Sequence, residues 1–240
     1  MTVAQRPGLF ITFEGGEGAG KSTQIARLAA RLRAGPLARP ASREGAPAGG
    51  REVVTTREPG GSPRAEQIRT ALLAGAAKPY GPFAEALLFS AARLDHLETL
   101  IRPALARGAV VLCDRFSDST RAYQGAAGGV DPETLAALER VVVGATRPHL
   151  TLVLDLPPEV GLARARARDR AGARGPDRFE AEALGFHQRL RAAYRAIAEA
   201  EPTRCAVIDA HGSPDAVAQA IRAAVAGRLP HLMPEASDAA

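Results

Sequence analysis

The stretch FEGGEGAGKST, residues 13–23, has the spacing Gly15-x-x-x-x-Gly20-Lys21-Ser22 between an apolar run and a helical pattern. These residue types at this spacing suit phosphate. A glycine turn lets successive backbone N–H groups converge at a helix N-terminus, where they carry partial positive charge. Gly15, Gly18 and Gly20 leave room for close approach, and the loop from Gly15 through Gly16, Glu17 and Ala19 to Ser22 and Thr23 would wrap a nucleotide's phosphates. Lys21 would reach the β- and γ-phosphates, and the Ser22 hydroxyl would hold Mg²⁺. With 24 glycines in the chain, glycine pairs at this spacing are cheap. Lysine is not: of 31 basic residues only Lys21 and Lys78 are lysines. A slim point charge with rotatable donors fits a phosphate cradle better than the wide guanidinium fork found elsewhere in the chain.

Such a loop leaves open whether the phosphate is hydrolysed or handed on. A guanine-reading switch needs Asn-Lys-x-Asp, and this chain contains no asparagine. Motor and remodelling ATPases place Asp-Glu after a second buried strand, where the Glu orients water. Here AVVLCDRF ends in Asp114-Arg115. Asp114 could help position Mg²⁺, while the cation beside it suits a phosphoryl group in flight or an acceptor phosphate better than water activation. The alternative for Asp114-Arg115 is a surface ion pair.

Three further stretches bear on the acceptor. Arg57 follows directly after a strand in TREPGGSPRAEQIR, although Pro-Gly also makes ordinary turns. Phe89 and Arg93 lie four apart in LLFSAARLDHLETLIRPAL, hence on one helix face, where they could stack a base and donate to its carbonyl edge. A core Phe with a solvated Arg is the plainer alternative. The segment 164–179 carries six arginines and a Gly/Pro break, which fits a lid over a triphosphate or a solvated basic helix face.

The elements that must position these residues read as five β-branched apolar runs, 8–14, 52–56, 109–114, 150–156 and 203–209, separated by helical patterns. That alternation predicts an α/β fold with a five-stranded parallel sheet, helices on both faces and strands buried on both sides. One domain would span 1–226. Within it 35–51, rich in Pro, Gly and Ala, reads as a flexible loop, and 227–240 as an irregular tail.

Composition sets limits. Net charge is +5 and the pI about 9.8, which invites a nucleic-acid reading, but aromatics are 4% with no Trp, so stacking platforms for single strands are scarce. The charge suits small anionic substrates equally well. Cys113 and Cys205 sit in apolar strand-like runs and read as buried reduced thiols. The five histidines lack metal-ligand spacing. With no signal-peptide core and no stretch of 18 apolar residues, the expectation is a soluble cytoplasmic protein with neither membrane nor nucleic-acid partner.

In order along the chain, FEGGEGAGKST, TREPGG, LLFSAAR, CDRFSDSTRAYQG, PEVGLARARAR and DRFE resemble the bacterial thymidylate kinase family over about residues 8–226. The resemblance implies a three-layer P-loop NTPase-type fold with an Arg-rich lid, transfer of the ATP γ-phosphoryl to dTMP to give dTDP and ADP, a need for Mg²⁺, and a homodimer. It places Glu17 toward the acceptor's sugar or phosphate, Arg57 and Arg115 on the dTMP phosphate, and Asp114 at the metal and reacting centre. Phe89 would stack on thymine, Arg93 would donate to its O4, and Tyr123 would pack on the deoxyribose. Ser119 and Gln124 would complete the base pocket. Gly18 in place of an arginine resembles the bacterial type, whose catalytic arginine comes from the lid, with Arg168 and Arg170 as the leading candidates. Two departures stand out, a longer 35–51 loop and extra lid residues before DRFE. Rival readings are a kinase for another nucleoside or nucleoside monophosphate, a DNA-associated P-loop ATPase, and a silent nucleotide-binding protein.

Overall fold

The computed structural model describes residues 7–34, 52–170 and 179–233. The loop expected over 35–51 and much of the expected lid, 171–178, lie outside them.

Five strands form a single parallel sheet in the order β2-β3-β1-β4-β5. They are β1 (Leu9–Glu14), β2 (Val53–Arg57), β3 (Val110–Asp114), β4 (Leu150–Asp155) and β5 (Cys205–Asp209). Each lies within two residues of its predicted position. The chain leaves central β1 toward β2 at one edge and later passes from β3 to β4 on its other side. Connections diverging in this way open a crevice beyond the carboxyl end of β1, where open α/β sheets bind ligands.

Strand periodicity divides the core. Leu9, Ile11 and Phe13 of β1 face one layer with α1 (Lys21–Ala34) and α9 (Pro214–Arg228). Phe10 faces the other, with Val111, Cys113, Leu97 and Ile101. Leu97 and Ile101 belong to a π-helical turn, Leu97–Ile101, that joins α3 (Gly81–His96) to α4 (Arg102–Ala106). Both layers exclude water from the three central strands, as their apolar runs predict. The edge strands differ: β2 is half-exposed and β5 exposes Val207 and Asp209, since each has a neighbour on one side only.

Three more helices complete the scaffold: α2 (Pro63–Leu73), α6 (Pro132–Val142) and α8 (Leu184–Ala200). Short α5 (Ser117–Thr120) continues as the π-helical Arg121–Ala127, and α7 (Pro158–Arg170) covers the first part of the segment expected to form the lid. The irregular tail expected from 227 does not begin there. Helix α9 runs through Arg228, and Leu229 and Leu232 are buried in the first core layer around a turn at Pro230–Leu232. Both cysteines are free and buried, as expected. Among the described residues no helix is long and apolar enough to cross a membrane, and no cluster of His, Cys, Asp or Glu could hold a metal by itself.

Candidate active site

A cavity of about 820 Å³ opens beyond the carboxyl ends of β1, β2 and β3. Glu17 to Thr23 line it, as do Arg57, Phe89, Arg93, Asp114, Arg115, Ser119, Tyr123, Gln124 and Arg168. Residues far apart in the chain therefore share one wall. Gly15 and Gly16 line a small adjoining space behind the loop.

Backbone geometry sets the loop. Gly18 has φ +66°, and a Cβ there would lie 2.0 Å from the carbonyl oxygen of Gly161 on α7. No side chain fits, so an arginine at this position is sterically excluded and α7 seats directly on the loop. Lys21, buried, folds back to donate to the carbonyl oxygens of Gly15 at 3.1 Å and Gly16 at 2.9 Å. Burial and the neighbouring charge of Arg115 push its ammonium below the usual lysine range, against the pull of Glu17, Asp114 and Glu14.

Arg115 is the only non-glycine among the described residues with positive φ, 69°. Few side chains adopt this conformation, and it persists where surrounding bonds impose it. The Arg115 N–H donates to Phe13 O at 2.9 Å, and the next N–H, of Phe116, donates to Glu14 Oε1 at 2.8 Å. The turn aims the guanidinium across the cavity floor. Its Nη2 donates to Glu17 Oε1 at 2.6 Å, and Nη1 donates to Gly15 O, Ser119 Oγ and Tyr194 OH at 3.1 to 3.3 Å. Tyr123 donates to the same Glu17 oxygen at 2.6 Å, and its ring centre lies 4.9 Å from the guanidinium carbon. This is no surface ion pair: both charges are largely buried.

Two acidic groups titrate in opposite directions. Burial would raise Glu17, but Arg115, Lys21 and the Tyr123 hydrogen bond outweigh it and hold the carboxyl down at about 2. Burial also acts on Glu14, beneath the site, where the like charge of Asp118 reinforces it. Together they exceed the help from Ser119, Arg115 and Phe116 and lift Glu14 to about 7. Both start from an ordinary value of 4.5. Glu17 therefore contributes stability that is present above pH 4.5 and lost as pH falls toward 2. Glu14 has the reverse sign: the folded chain binds the extra proton, so its contribution is full below 4.5 and is lost as pH rises through about 7. In denaturant unfolding, Glu14→Gln is expected to flatten the decline in stability across that interval. An unchanged decline would assign it to other groups.

The remaining expected residues are placed as follows. Asp114 Oδ2 accepts from Ser22 Oγ at 2.8 Å, so the expected metal donors are adjacent. Arg57 pairs with Glu66 at 2.9 Å. Arg93 is buried rather than solvated, and Phe89 is half-buried beside Phe179. Gln124 Nε2 donates to Glu85 at 3.2 Å, and the Ser119 proton is committed to Glu14 Oε2 at 2.6 Å. Of the two arginines expected from the lid, only Arg168 lines the cavity, paired with Glu180 at 2.7 Å. Arg170 lies outside the cavity lining, its Nε directed at Arg166 O. Arg164, one turn before Arg168, takes a place in the wall that the sequence reading did not assign to it, and so does Arg69. The i, i+4 spacing of Arg164 and Arg168 was a usable signal; Arg69 offered none beyond its helix.

A parallel sheet of this order, with a phosphate loop after its central strand and lysine, arginines and carboxylates around one cavity, defines a P-loop phosphotransferase. The comparisons narrow the class. The thymidylate kinase family model matches residues 13–221. The chain is 58% identical over 222 residues to a thymidylate kinase of Caulobacter vibrioides, covering 92% of this chain and 98% of that protein. It is 54% identical to one of Bradyrhizobium diazoefficiens, covering 92% and 90%. The crystal structure of thymidylate kinase from Ehrlichia chaffeensis superposes with a TM-score of 0.68 at 30% identity, over 91% of this chain and 100% of that one. The chain belongs to the thymidylate kinase family.

Proposed function

We propose that this chain transfers the γ-phosphoryl group of ATP to dTMP, giving dTDP and ADP, with Mg²⁺, as a cytoplasmic homodimer. The observation that carries the reading is one cavity in which the phosphate loop with Lys21 and the Phe89, Arg93 and Arg115 wall face the same space. Its volume is about 820 Å³, toward the upper end for ligand sites, which leaves room for two nucleotides end to end.

The acceptor is itself a phosphate, largely dianionic at neutral pH because its second ionisation lies near pH 6. It needs little general-base help. What it needs is cancellation of the repulsion between two anions, and then alignment. Lys21 would move from the Gly15 and Gly16 carbonyls to the γ-phosphate. Arg57 and Arg115 would hold the acceptor phosphate, with Glu17 and Tyr123 fixing the Arg115 guanidinium and facing the sugar. Arg168, with Arg164 beside it, would close from the lid side and exclude water. The Ser22 hydroxyl and Asp114 carboxylate are oxygen donors suited to Mg²⁺, which keeps few protein ligands and supplies charge neutralisation at the phosphates.

Phe89 and Arg93 would take the thymine, with Gln124 nearby. Phe89→Ala is expected to weaken dTMP binding by roughly 1–3 kcal/mol, the scale of base–aromatic stacking. Calorimetric titration showing unchanged affinity would return Phe89 to a packing role. Support for a homodimer comes from α3, where Phe83, Leu87 and Leu94 share one face and stay nearly half-exposed. Sedimentation would report it.

The decisive experiment is an acceptor panel of dTMP, dUMP, dCMP, dAMP and nucleosides, with ADP and phosphorylated product both measured. The reading expects strong preference for dTMP. DNA-stimulated ATP turnover without phosphorylated nucleotide would replace it.

A further inference from the structure

A buried ionic chain runs inward from the cavity, which Arg93 and Glu58 both line, to His96 and Thr56. Arg93 Nε donates to Glu58 Oε2 at 2.7 Å. The other carboxylate oxygen of Glu58 meets His96 Nδ1 at 3.1 Å, and His96 Nε2 meets Thr56 Oγ1 at 2.7 Å. His96 is wholly buried, and Glu58 and Arg93 nearly so. The second side of the guanidinium is also held: Nη2 donates to Phe116 O and Thr120 Oγ1, both at 3.1 Å. Its face rests on the Phe116 ring, 5.2 Å from the centroid. Only Nη1 has no partner among the described residues, and Arg93 lines the cavity with Phe89.

Buried ion pairs add little net stability, because desolvation offsets their attraction. What this one supplies is orientation. Gly61 makes the same point. At φ +85°, a Cβ on it would lie 2.4 Å from His96 Nε2 and 2.5 Å from Thr56 Oγ1. The glycine leaves space for the bond that fixes the imidazole.

We infer that Glu58, clamped by His96 and Thr56, is a positioning residue for base selection: it holds Arg93 so that Nη1 offers a donor to the acceptor's base and favours a carbonyl over an amino group at that edge. The inference rests on the dTMP reading above. A guanidinium has donors only, so a C4 carbonyl satisfies it and a C4 amino group, also a donor, leaves it unpaired. His96 and Thr56 do not line the cavity, and their side-chain hydrogen bonds reach it through Glu58.

The test is steady-state kinetics with dTMP, dCMP and ATP on Thr56→Val, His96→Ala, His96→Asn and Arg93→Met. His96→Ala is expected to raise KM for dTMP about tenfold, the scale of one hydrogen bond to a charged group, and to narrow the preference for dTMP over dCMP. KM for ATP stays unchanged. Thr56→Val, isosteric and leaving every charge paired, shifts KM for dTMP the same way by about threefold even if His96→Ala folds poorly. His96→Asn, whose amide can donate from the Nδ1 position, restores most of the loss. Wild-type KM for dTMP in folded Thr56→Val and His96→Ala overturns the inference, as does an equal rise in KM for ATP. Arg93→Met separates the layers. A raised KM for dTMP there, with neither Thr56→Val nor His96→Ala affected, overturns the positioning role alone. An unchanged KM in Arg93→Met overturns the base reading beneath it as well.

Discussion

Lys21→Ala is expected to lower kcat by on the order of 10²–10³, the usual cost of losing one preorganised donor to transition-state charge. The structure explains why the effect falls on kcat. Lys21 is buried and desolvated, so its charge acts in a low-dielectric site, and its present partners are two loop carbonyl oxygens that a phosphate oxygen can replace. The Gly15 carbonyl oxygen keeps a donor in Arg115 Nη1 when the side chain is gone, so the melting temperature is expected to move little. Rapid-quench measurement of a single turnover reads the chemical step directly. A near-normal rate would remove Lys21 from the mechanism.

Arg115→Met is expected to have two separable consequences. Glu17 would lose its buried counter-charge, and breaking one side of such a pair costs about 3–5 kcal/mol. The acceptor phosphate would lose one of the two guanidinium groups proposed to hold it, with kcat/KM for dTMP falling by on the order of 10² or more. The double variant Arg115→Met with Glu17→Gln removes the orphaned carboxylate. It is expected to regain much of the stability and none of the activity. Chemical unfolding beside acceptor kinetics checks both. Activity returning along with stability would make Arg115 a structural residue only.

Local patterns in the sequence carried far. The apolar runs placed all five strands because three of them are covered on both faces and the chain has little reason to alternate there. Gly15 to Ser22 was legible because a phosphate loop is a contiguous motif, and Phe89 with Arg93 because helix geometry joins positions four apart. What stayed hidden is held together by long-range contacts. Glu14 reads as the last residue of an apolar strand, yet it gathers Phe116, Ser119 and Tyr194, the last 180 positions away. Glu58 and His96 read as turn and helix residues, and only the pairing of β2 against α3 reveals why they are there. Arg170 reads as a lid candidate beside Arg168, but two positions along a helix turn it away from the face that Arg164 and Arg168 share. GRLPHLMPEASDAA reads as irregular and exposed, yet α9 runs through Arg228 and the core buries Leu229 and Leu232.

The central claim is that two nucleotides meet end to end in one cavity. Inhibition by a bisubstrate ligand, adenosine and thymidine joined by five phosphates, tests it most directly. Spanning both halves makes the second contact intramolecular, so the ligand should bind orders of magnitude more tightly than either substrate and compete with both ATP and dTMP. Competition with ATP alone, at an affinity no better than that of ATP, would contradict the account.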